Sequence, residues 1–200
     1  RIDALVHNAG LLPLSRETTS EGLELAFATN LVAPYLLTAM LVERLAASAP
    51  SRVVFVSSGG MYLTKLDLDE LVGKVAQYDG VRAYAQTKRA MVVLTERLAP
   101  RLAPRGITVN AMHPGWAATP GVSHSLPRFE RLLGSWLRDA REGADTIAYL
   151  AASPEVEGET GGLYFDRARR ATAPVPFTGT SAEQAAALER LLIKIGRAHV

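Results

Sequence analysis

The chain has 200 residues, which is enough for one domain with its own hydrophobic core. Its formal net charge is only +2, so charge gives no argument for nucleic acid as a partner. It has no cysteine and its four histidines show no ligand spacing. This excludes disulfides, thiolate nucleophiles and cysteine-ligated zinc, and it gives no basis for any metal site.

The beginning of the chain does not have the pattern of a secretory signal, because its apolar run is very short. No run of 18 consecutive apolar residues occurs, so we expect no transmembrane segment. We therefore expect a cytoplasmic protein.

Apolar runs of strand length alternate with stretches of helical periodicity along the chain. The predicted strands are residues 2–6, 52–56, 107–112 and 162–165. The predicted helices begin near residue 21, at 31–47, at 83–98, at 144–152 and after Ser181. This alternation predicts an α/β fold with a doubly wound, Rossmann-like parallel sheet that is covered by helices on both faces.

Capping and breaking residues set the expected ends of these helices. Ser20 is a candidate cap for the first helix, and Pro100 is expected to end the long helix that begins at residue 83. Ser181 and Gln184 have the spacing of a capping box at the start of the last helix.

Two segments show no long periodic pattern. Residues 64–80 are polar and acidic and are expected to form a loop with a short helix. Residues 116–141 mix turn residues with Trp116, Phe129 and Trp136, which indicates an apolar flap or a small helical insert. Trp116 is a candidate for contact with a substrate, and core packing is the alternative for all three aromatic residues.

Three predicted strands end in residues suited to a binding site, and the carboxyl ends of parallel strands lie along one edge of a sheet. We therefore expect these three strand ends to converge. They are Asn8-Ala9-Gly10, Ser57-Ser58 and His113-Pro114-Gly115.

Tyr84 and Lys88 are four residues apart, so they share one face of the predicted helix at 83–98. A free phenol has a pKa of about 10. An ammonium at about 4 Å interacts with it by roughly 4 kcal/mol at an effective dielectric constant of about 20, which is on the order of three pKa units. Such a phenol can give a proton to a carbonyl or take one from an alcohol. The same spacing also occurs on many helices without any catalytic role.

In their order along the chain these residues resemble the motifs of the short-chain dehydrogenases/reductases, in particular the retinol-dehydrogenase-like branch. The N-N-A-G turn of that family is similar to His7-Asn8-Ala9-Gly10, with the first Asn replaced by His. The family's helix asparagine, catalytic serine, Y-x-x-x-K and P-G-x-x-x-T motifs correspond to Asn30, Ser58, Tyr84 with Lys88, and Pro114, Gly115 with Thr119.

The resemblance implies an oxidoreductase that moves a hydride between a nicotinamide cofactor and an apolar carbonyl or alcohol substrate, with NADP slightly favoured over NAD. Tyr84 would act as the general acid or base, and Lys88 would lower the phenol pKa and hold the nicotinamide ribose. Ser58 would bind the substrate oxygen, and Asn30 would hold a water that links Lys88 to solvent.

The resemblance also implies further contacts. The cofactor would touch Asn8, Ala9, Gly10, Tyr84, Lys88, Pro114, Gly115 and Thr119. Family members are commonly dimers through two long helices, here residues 31–47 and 83–98, so a homodimer of the full-length protein is expected.

Structural interpretations stand beside these roles. Ser58 could cap the end of a strand, Asn30 could be satisfied within its own helix, and His7 and His113 are expected to be structural. The chain could also be a non-catalytic binding or scaffolding protein with the same fold. The presence of the serine, the tyrosine and the lysine together favours the enzyme.

The sequence departs from the family in one respect: the glycine-rich T-G-x-x-x-G-x-G turn is absent. The Gly59-Gly60 pair follows the serine and lacks the spacing. The missing turn would bind the cofactor's pyrophosphate. We therefore expect residues 1–194 to be a partial domain that lacks the first strand–helix units and is inactive alone. We expect residues 195–200 to be a non-native tail, because codons that match a common sequencing adapter would encode this peptide; a chance match is the alternative.

Overall fold

The structure is a computed structural model that describes residues 1–116 and 137–199. Most of the predicted flap at 116–141 therefore lies outside the described residues. Thr119, Phe129 and Trp136 belong to that part of the chain.

The described residues form a five-stranded sheet in which the order of strands in space follows the chain. β1 to β4 run parallel to one another, and β5 is antiparallel to β4. The predicted α/β fold with a parallel sheet is confirmed. The strands are β1 (Ala4–His7), β2 (Ser51–Val56), β3 (Ile107–Met112), β4 (Leu163–Phe165) and β5 (Ala168–Arg170).

β5 is the strand that the sequence pattern does not indicate, because its three residues include two arginines and no apolar alternation. Its position depends on the turn before it. Asp166 and Arg167 have φ of 52° and 56°, as in the two-residue turns that join hairpin strands.

Helices flank the sheet, and the longest follows β2. The helices are α1 (Leu25–Ala46), α2 (Leu68–Leu71), α3 (Gly80–Leu102), α4 (Ala140–Ala152) and α5 (Ala182–His199). Within α1, residues Ala28–Val32 form a π-helical segment. Such segments are often found at functional sites.

The side chains of β2 alternate between the two faces of the sheet and so contribute to two core layers. Val53 belongs to the larger cluster, with Leu31 of α1 and Met91 of α3. Val54 belongs to the second cluster, with Leu150 of α4. The sheet is therefore covered on both faces, as the sequence predicts.

The start of α1 differs from the sequence expectation. The helix begins at Leu25, and the carboxylate of Glu24, not Ser20, caps it. That carboxylate accepts hydrogen bonds from Ala26 N at 3.0 Å and from Phe27 N at 2.6 Å. Glu24 is only 2% exposed, so its capping role is visible only once the fold surrounds it.

The predicted end of the long helix is wrong as well. Pro100 lies inside α3, which continues to Leu102. A proline removes one backbone donor, and burial of Ala99 and Leu102 in the core holds the last turn in place. α4 begins earlier than predicted, at Ala140, where a capping box that includes Asp139 starts the helix.

The capping box predicted at the start of α5 is confirmed. Gln184 N donates to Ser181 Oγ at 3.1 Å, and Ser181 N donates to Gln184 Oε1 at 3.0 Å. α5 continues through residues 195–199, and Ile195 packs against the core. The non-native origin expected for this segment stays a prediction.

One helix does not fit the expectation that no segment can span a membrane. By length and composition alone, Leu25–Ala46 is long and apolar enough to cross a membrane, with a mean hydropathy of 1.8 over an 18-residue window. Within the fold, 39% of that window is buried, and Leu31 and Leu45 lie in the core.

β1 is one of the two edge strands of the described sheet and pairs only with β2. Its apolar side chains are less buried than those of β2, and Val6 is 36% exposed. A strand edge of this kind can pair with a further strand or with another chain.

The close contact between Pro13 and the start of α3 can be tested by substitution. A Cβ atom at Gly80 would lie 1.8 Å from Pro13 O. Because Pro13 O is a backbone atom, it cannot move aside as the end of a flexible side chain could. We expect Gly80→Ala to destabilise the chain by about 3 kcal/mol or more in urea unfolding. Gly179→Ala is the control, because a Cβ there meets nothing within 4 Å. Equal unfolding midpoints for the two variants would contradict this packing.

Candidate active site

The carboxyl ends of β1, β2 and β3 lie side by side, as expected for parallel strands. They border a cavity of about 920 Å³. Ala9 and Asn30 do not line this cavity, and Thr119 lies outside the described residues. The predicted site residues that line it are Asn8, Gly10, Ser58, Tyr84, Lys88, Pro114, Gly115 and Trp116.

Lys88 places a buried amine in the cavity wall. The residue is 3% exposed, and Nζ donates a hydrogen bond to Val56 O at 2.7 Å. No ion pair to Lys88 occurs among residues 1–116 and 137–199. Burial lowers the pKa of the Lys88 amine to about 8. An ammonium has three donors, so a group in the cavity can still be bound.

Two hydrogen bonds fix α3 against the end of β2. Besides the bond from Lys88 Nζ, the hydroxyl of Ser57 donates to Lys88 O at 2.8 Å. Tyr84, one helical turn earlier, is thereby placed next to Ser58.

Ser58 has both of the roles weighed from the sequence. Its hydroxyl caps the 3₁₀ turn Gly59–Leu63 by accepting from Gly60 N at 3.4 Å. It also lies beside the phenol of Tyr84, whose pKa the serine hydroxyl lowers. The serine therefore joins the end of β2 to the tyrosine.

The expected lowering of the Tyr84 pKa by Lys88 is wrong for this chain. Burial raises the pKa of the phenol, and the interaction with Ser58 offsets this only in part. Lys88 Nζ lies 5.5 Å from the centre of the Tyr84 ring and is directed at Val56 O. The phenol is therefore in its protonated form at neutral pH.

Asn30 lies behind the cavity and is fully buried in the π-helical segment of α1. Its Oδ1 accepts from Leu11 N at 2.9 Å, and its Nδ2 donates to Leu11 O and to Thr87 Oγ1, both at 3.0 Å. The amide is thus satisfied by other segments, not by its own helix. It ties the loop after β1 to α3 next to Lys88.

Gly10 lies where these groups approach one another. A Cβ atom at this position would come within 3.3 Å of both Asn30 Oδ1 and Lys88 Nζ. A side chain at residue 10 would therefore crowd the amine, which explains why a glycine suits this place.

His113 supports the Pro114-Gly115 turn on the other side of the cavity. Its Nδ1 accepts from Gly115 N at 3.3 Å, and its ring stacks on Phe165 at a centroid distance of 4.4 Å. Tyr62, from the 3₁₀ turn after Ser58, contacts the ring edge-on. The histidine therefore connects three segments that surround the site.

His7 has a structural environment at the end of β1. Its ring stacks on Phe55 at 4.9 Å, and its Nε2 bonds to Thr38 Oγ1 at 2.7 Å. Because the threonine hydroxyl donates to Pro34 O, it accepts from His7.

The cavity wall includes residues that the sequence patterns do not single out. Leu63 and Val81, together with Trp116, line the cavity and have large exposed apolar surfaces. Gln86 also lines the cavity. It lies inside the Tyr84–Lys88 motif, but nothing in the sequence indicates what its side chain binds. Its hydrogen-bond partners come from residues 64–70, which are distant in sequence.

These residues fit the nicotinamide half of a dinucleotide cofactor. The Lys88 amine, buried without a carboxylate partner among the described residues, borders the cavity next to Gly10, which has no side chain to crowd it, so ribose hydroxyls can approach it. No glycine-rich turn for a pyrophosphate occurs in the sequence. No group of three His, Asp or Glu side chains suited to a metal ion occurs in the described ranges.

Comparison with known proteins adds independent information. The profile of the short chain dehydrogenase family matches residues 1–128. Dehydrogenase/reductase SDR family member 12 from Bos taurus is 42% identical over 194 residues, which cover 97% of this chain and 60% of that protein. Retinol dehydrogenase 13 from Mus musculus is 36% identical over 184 residues, 88% of this chain and 54% of that protein. The chain thus spans about 60% or less of the length of these relatives.

Solved structures with a similar fold include a member of the same family. An uncharacterized protein from Mycobacterium Paratuberculosis superposes with a TM-score of 0.70 at 25% identity, covering 98% of this chain and 67% of that chain. An oxidoreductase of the short-chain dehydrogenase/reductase family from Brucella ovis, in complex with a partially ordered NAD, has a TM-score of 0.50 at 28% identity. That match covers 80% of this chain and 62% of the other.

The two buried histidines predict how stability depends on pH. Burial lowers the pKa of His7 and of His113 to about 4, so unfolded histidines with a pKa of about 6.5 bind protons that the folded ones do not. The two neutral histidines contribute fully to the free energy of unfolding above pH 6.5, and this contribution is lost as the pH falls toward 4. Between pH 7 and pH 5 we expect the free energy of unfolding to fall by about 2 kcal/mol per histidine.

Urea unfolding at the two pH values measures this loss. His7→Asn should remove about half of it, since the amide of asparagine does not titrate. A variant that keeps the full pH dependence would show that His7 is not the titrating group.

Proposed function

Since this chain belongs to the short-chain dehydrogenase family, we propose that the protein is an NAD(P)-dependent oxidoreductase that interconverts a carbonyl compound and its alcohol. One observation carries the proposal. Ser58, Tyr84 and Lys88 come from two segments of the chain and line the same cavity, where the amine is buried with no acidic partner in the part of the chain that the structure describes. A solvated surface pair would not require that burial.

The cofactor's place follows from the groups that border the cavity. Lys88 would bind the nicotinamide ribose, with Asn8 and Gly10 on one side and the Pro114-Gly115 turn on the other. A nicotinamide bound there would supply or accept the hydride. The choice between NADP and NAD rests on a part of the cofactor site that has no counterpart in this sequence.

Tyr84 would donate the proton in the reduction of a carbonyl. Its raised pKa keeps the phenol protonated at neutral pH, which is the form that donates a proton from Oη to the oxygen of a carbonyl undergoing reduction. Ser58, which lies beside the phenol, would donate to the same substrate oxygen and stabilise the negative charge that develops on it. Lys88, with a pKa of about 8, is mostly charged at neutral pH and would hold the nicotinamide ribose close to the phenol.

The substrate side of the cavity suits an apolar molecule. Leu63, Val81 and Trp116 present exposed apolar surface there, next to Leu11 and Leu12. Surface of this kind stabilises a bound ligand by the removal of apolar area from water. We therefore infer a carbonyl or alcohol substrate with an apolar body.

A homodimer of the whole protein stays a proposal, and α5 restricts how it forms. Glu189 of α5 forms ion pairs with Arg97 and Arg101 of α3. Gly196 lies against Leu36 of α1. A dimer through α1 and α3 would therefore have to displace α5 or use another face of these helices.

The proposed acid is tested by Tyr84→Phe in a form of the protein extended at its N-terminus to the length of its relatives. Loss of the phenolic proton should lower kcat for NADPH-dependent reduction of an apolar carbonyl by about 10²- to 10⁴-fold, with little change in the KM for NADPH. Tyr149→Phe is the matched control, because that hydroxyl bonds to Glu155 away from the cavity. Equal rates for wild type and Tyr84→Phe would reject the mechanism.

The 200-residue chain itself should show no measurable NADPH binding. Its sequence has no glycine-rich turn to hold the pyrophosphate, which is a large part of dinucleotide recognition. Fluorescence titration of this chain and of the extended form compares the two directly. Micromolar affinity in the 200-residue chain would contradict the prediction.

A further inference from the structure

Gln86 lies between the proposed catalytic residues in sequence and lines the same cavity, but its side chain binds a segment of its own. It is 1% exposed and contacts the loop that joins β2 to α3. A buried amide requires partners for its oxygen and its two N–H groups. Gln86 finds all of them in this one loop.

Four hydrogen bonds connect Gln86 to residues 64–70. Its Oε1 accepts from Asp67 N at 3.0 Å. Its Nε2 lies 3.1 Å from Thr64 Oγ1, 2.9 Å from Lys65 O and 2.7 Å from Glu70 Oε2. The two N–H groups are therefore shared among three acceptors, as in a bifurcated arrangement.

The contact with Glu70 extends across one turn of α3. The other carboxylate oxygen of Glu70 pairs with Arg82, which is four residues before Gln86 and on the same face of the helix. The loop is thus held by an amide and a guanidinium at neighbouring positions. Glu70 is the residue that both of them bind.

The loop held in this way is a wall of the cavity. Residues of the loop that line it are Thr64, Lys65, Leu66, Asp67 and Glu70. Ser58, Tyr84 and Lys88 line the same cavity. The distance between the loop and the phenol therefore depends on the bonds made by Gln86.

We propose that Gln86 is a positioning residue that fixes the 64–70 loop as the substrate-side wall of the cavity and thereby sets which carbonyl compounds fit beside Tyr84. The effect on selectivity rests on the proposed oxidoreductase function, whereas the fixing of the loop does not. Gln86 itself does not touch the reacting atoms.

The fixing of the loop is tested by limited trypsin digestion of the folded 200-residue chain. Lys65 is exposed, but its carbonyl, which trypsin attacks, is bound by Gln86. Gln86→Glu places a carboxylate against Glu70 and leaves Lys65 O without its donor. Cleavage after Lys65 should become about tenfold faster or more.

Two controls separate the loop from the whole fold. Gln77→Glu makes the same charge change at an exposed position and should leave the cleavage rate unchanged. Cleavage after Lys194, in α5, should keep its wild-type rate in both variants. An equal rise at Lys65 and Lys194 would mean global unfolding and would overturn the proposal, as would an unchanged rate at Lys65.

An exchange of the two groups tests the bond between Gln86 and Glu70. Combining Gln86→Glu with Glu70→Gln restores an amide facing a carboxylate, and the introduced carboxylate lies four residues from Arg82. The double variant should be cleaved after Lys65 more slowly than Gln86→Glu alone. A double variant cleaved as fast as the single one would exclude this bond as the reason for the protection.

The effect on selectivity is measured in the N-terminally extended protein with a series of carbonyl compounds of increasing size. Gln86→Glu should raise the KM for carbonyls and narrow the spread of kcat/KM between the smallest and largest compound, while the KM for NADPH stays unchanged. The double variant should recover part of the spread. An unchanged spread would overturn the assignment of selectivity to Gln86.

A wild type that reduces no carbonyl would instead refute the proposed oxidoreductase function. The trypsin results would still decide whether Gln86 holds the loop.

Discussion

Burial of the Lys88 amine is the constraint on which the arrangement of the site depends. An ammonium in a protein interior requires acceptors, and the end of β2 provides one in Val56 O. The same strand end supplies Ser57, whose hydroxyl binds the backbone of Lys88. These bonds hold α3 at one position along the strand, so that Tyr84, one turn earlier, reaches Ser58. The loop after β1 must approach the amine without a side chain, which is the place of Gly10.

A buried cation of this kind stabilises the fold poorly. Its lowered pKa expresses a free-energy penalty for the charged form that an apolar side chain would avoid. Lys88 costs stability, and it borders a cavity of about 920 Å³. Its burial is therefore better explained by a role in binding or catalysis than by packing. The raised pKa of Tyr84 also has a place in this explanation. A phenol protonated at neutral pH has a proton that it can donate to a carbonyl oxygen.

The parts of the fold that local signals specify could be predicted from the sequence. The strand at 107–112 has the predicted bounds because an apolar run is closed by a Gly before it and by His113-Pro114 after it. The strand ends converge because parallel neighbours place their carboxyl ends together, and that follows from topology alone.

Features that depend on tertiary contacts could not be predicted from the sequence. Glu24 caps α1 only inside the fold, and Gln86 acquires its partners only when residues 64–70 fold over it. The direction of the Tyr84 pKa shift could not be predicted either, because burial outweighs a lysine whose amine is directed elsewhere.

The most direct measurement is a crystal structure of the N-terminally extended protein with NADP⁺. The nicotinamide ring should lie in the cavity between Tyr84 and the Pro114-Gly115 turn, with Lys88 Nζ at about 3 Å from a ribose hydroxyl. A nicotinamide bound outside this cavity, with Lys88 in contact only with Val56 O, would contradict the assignment of the site.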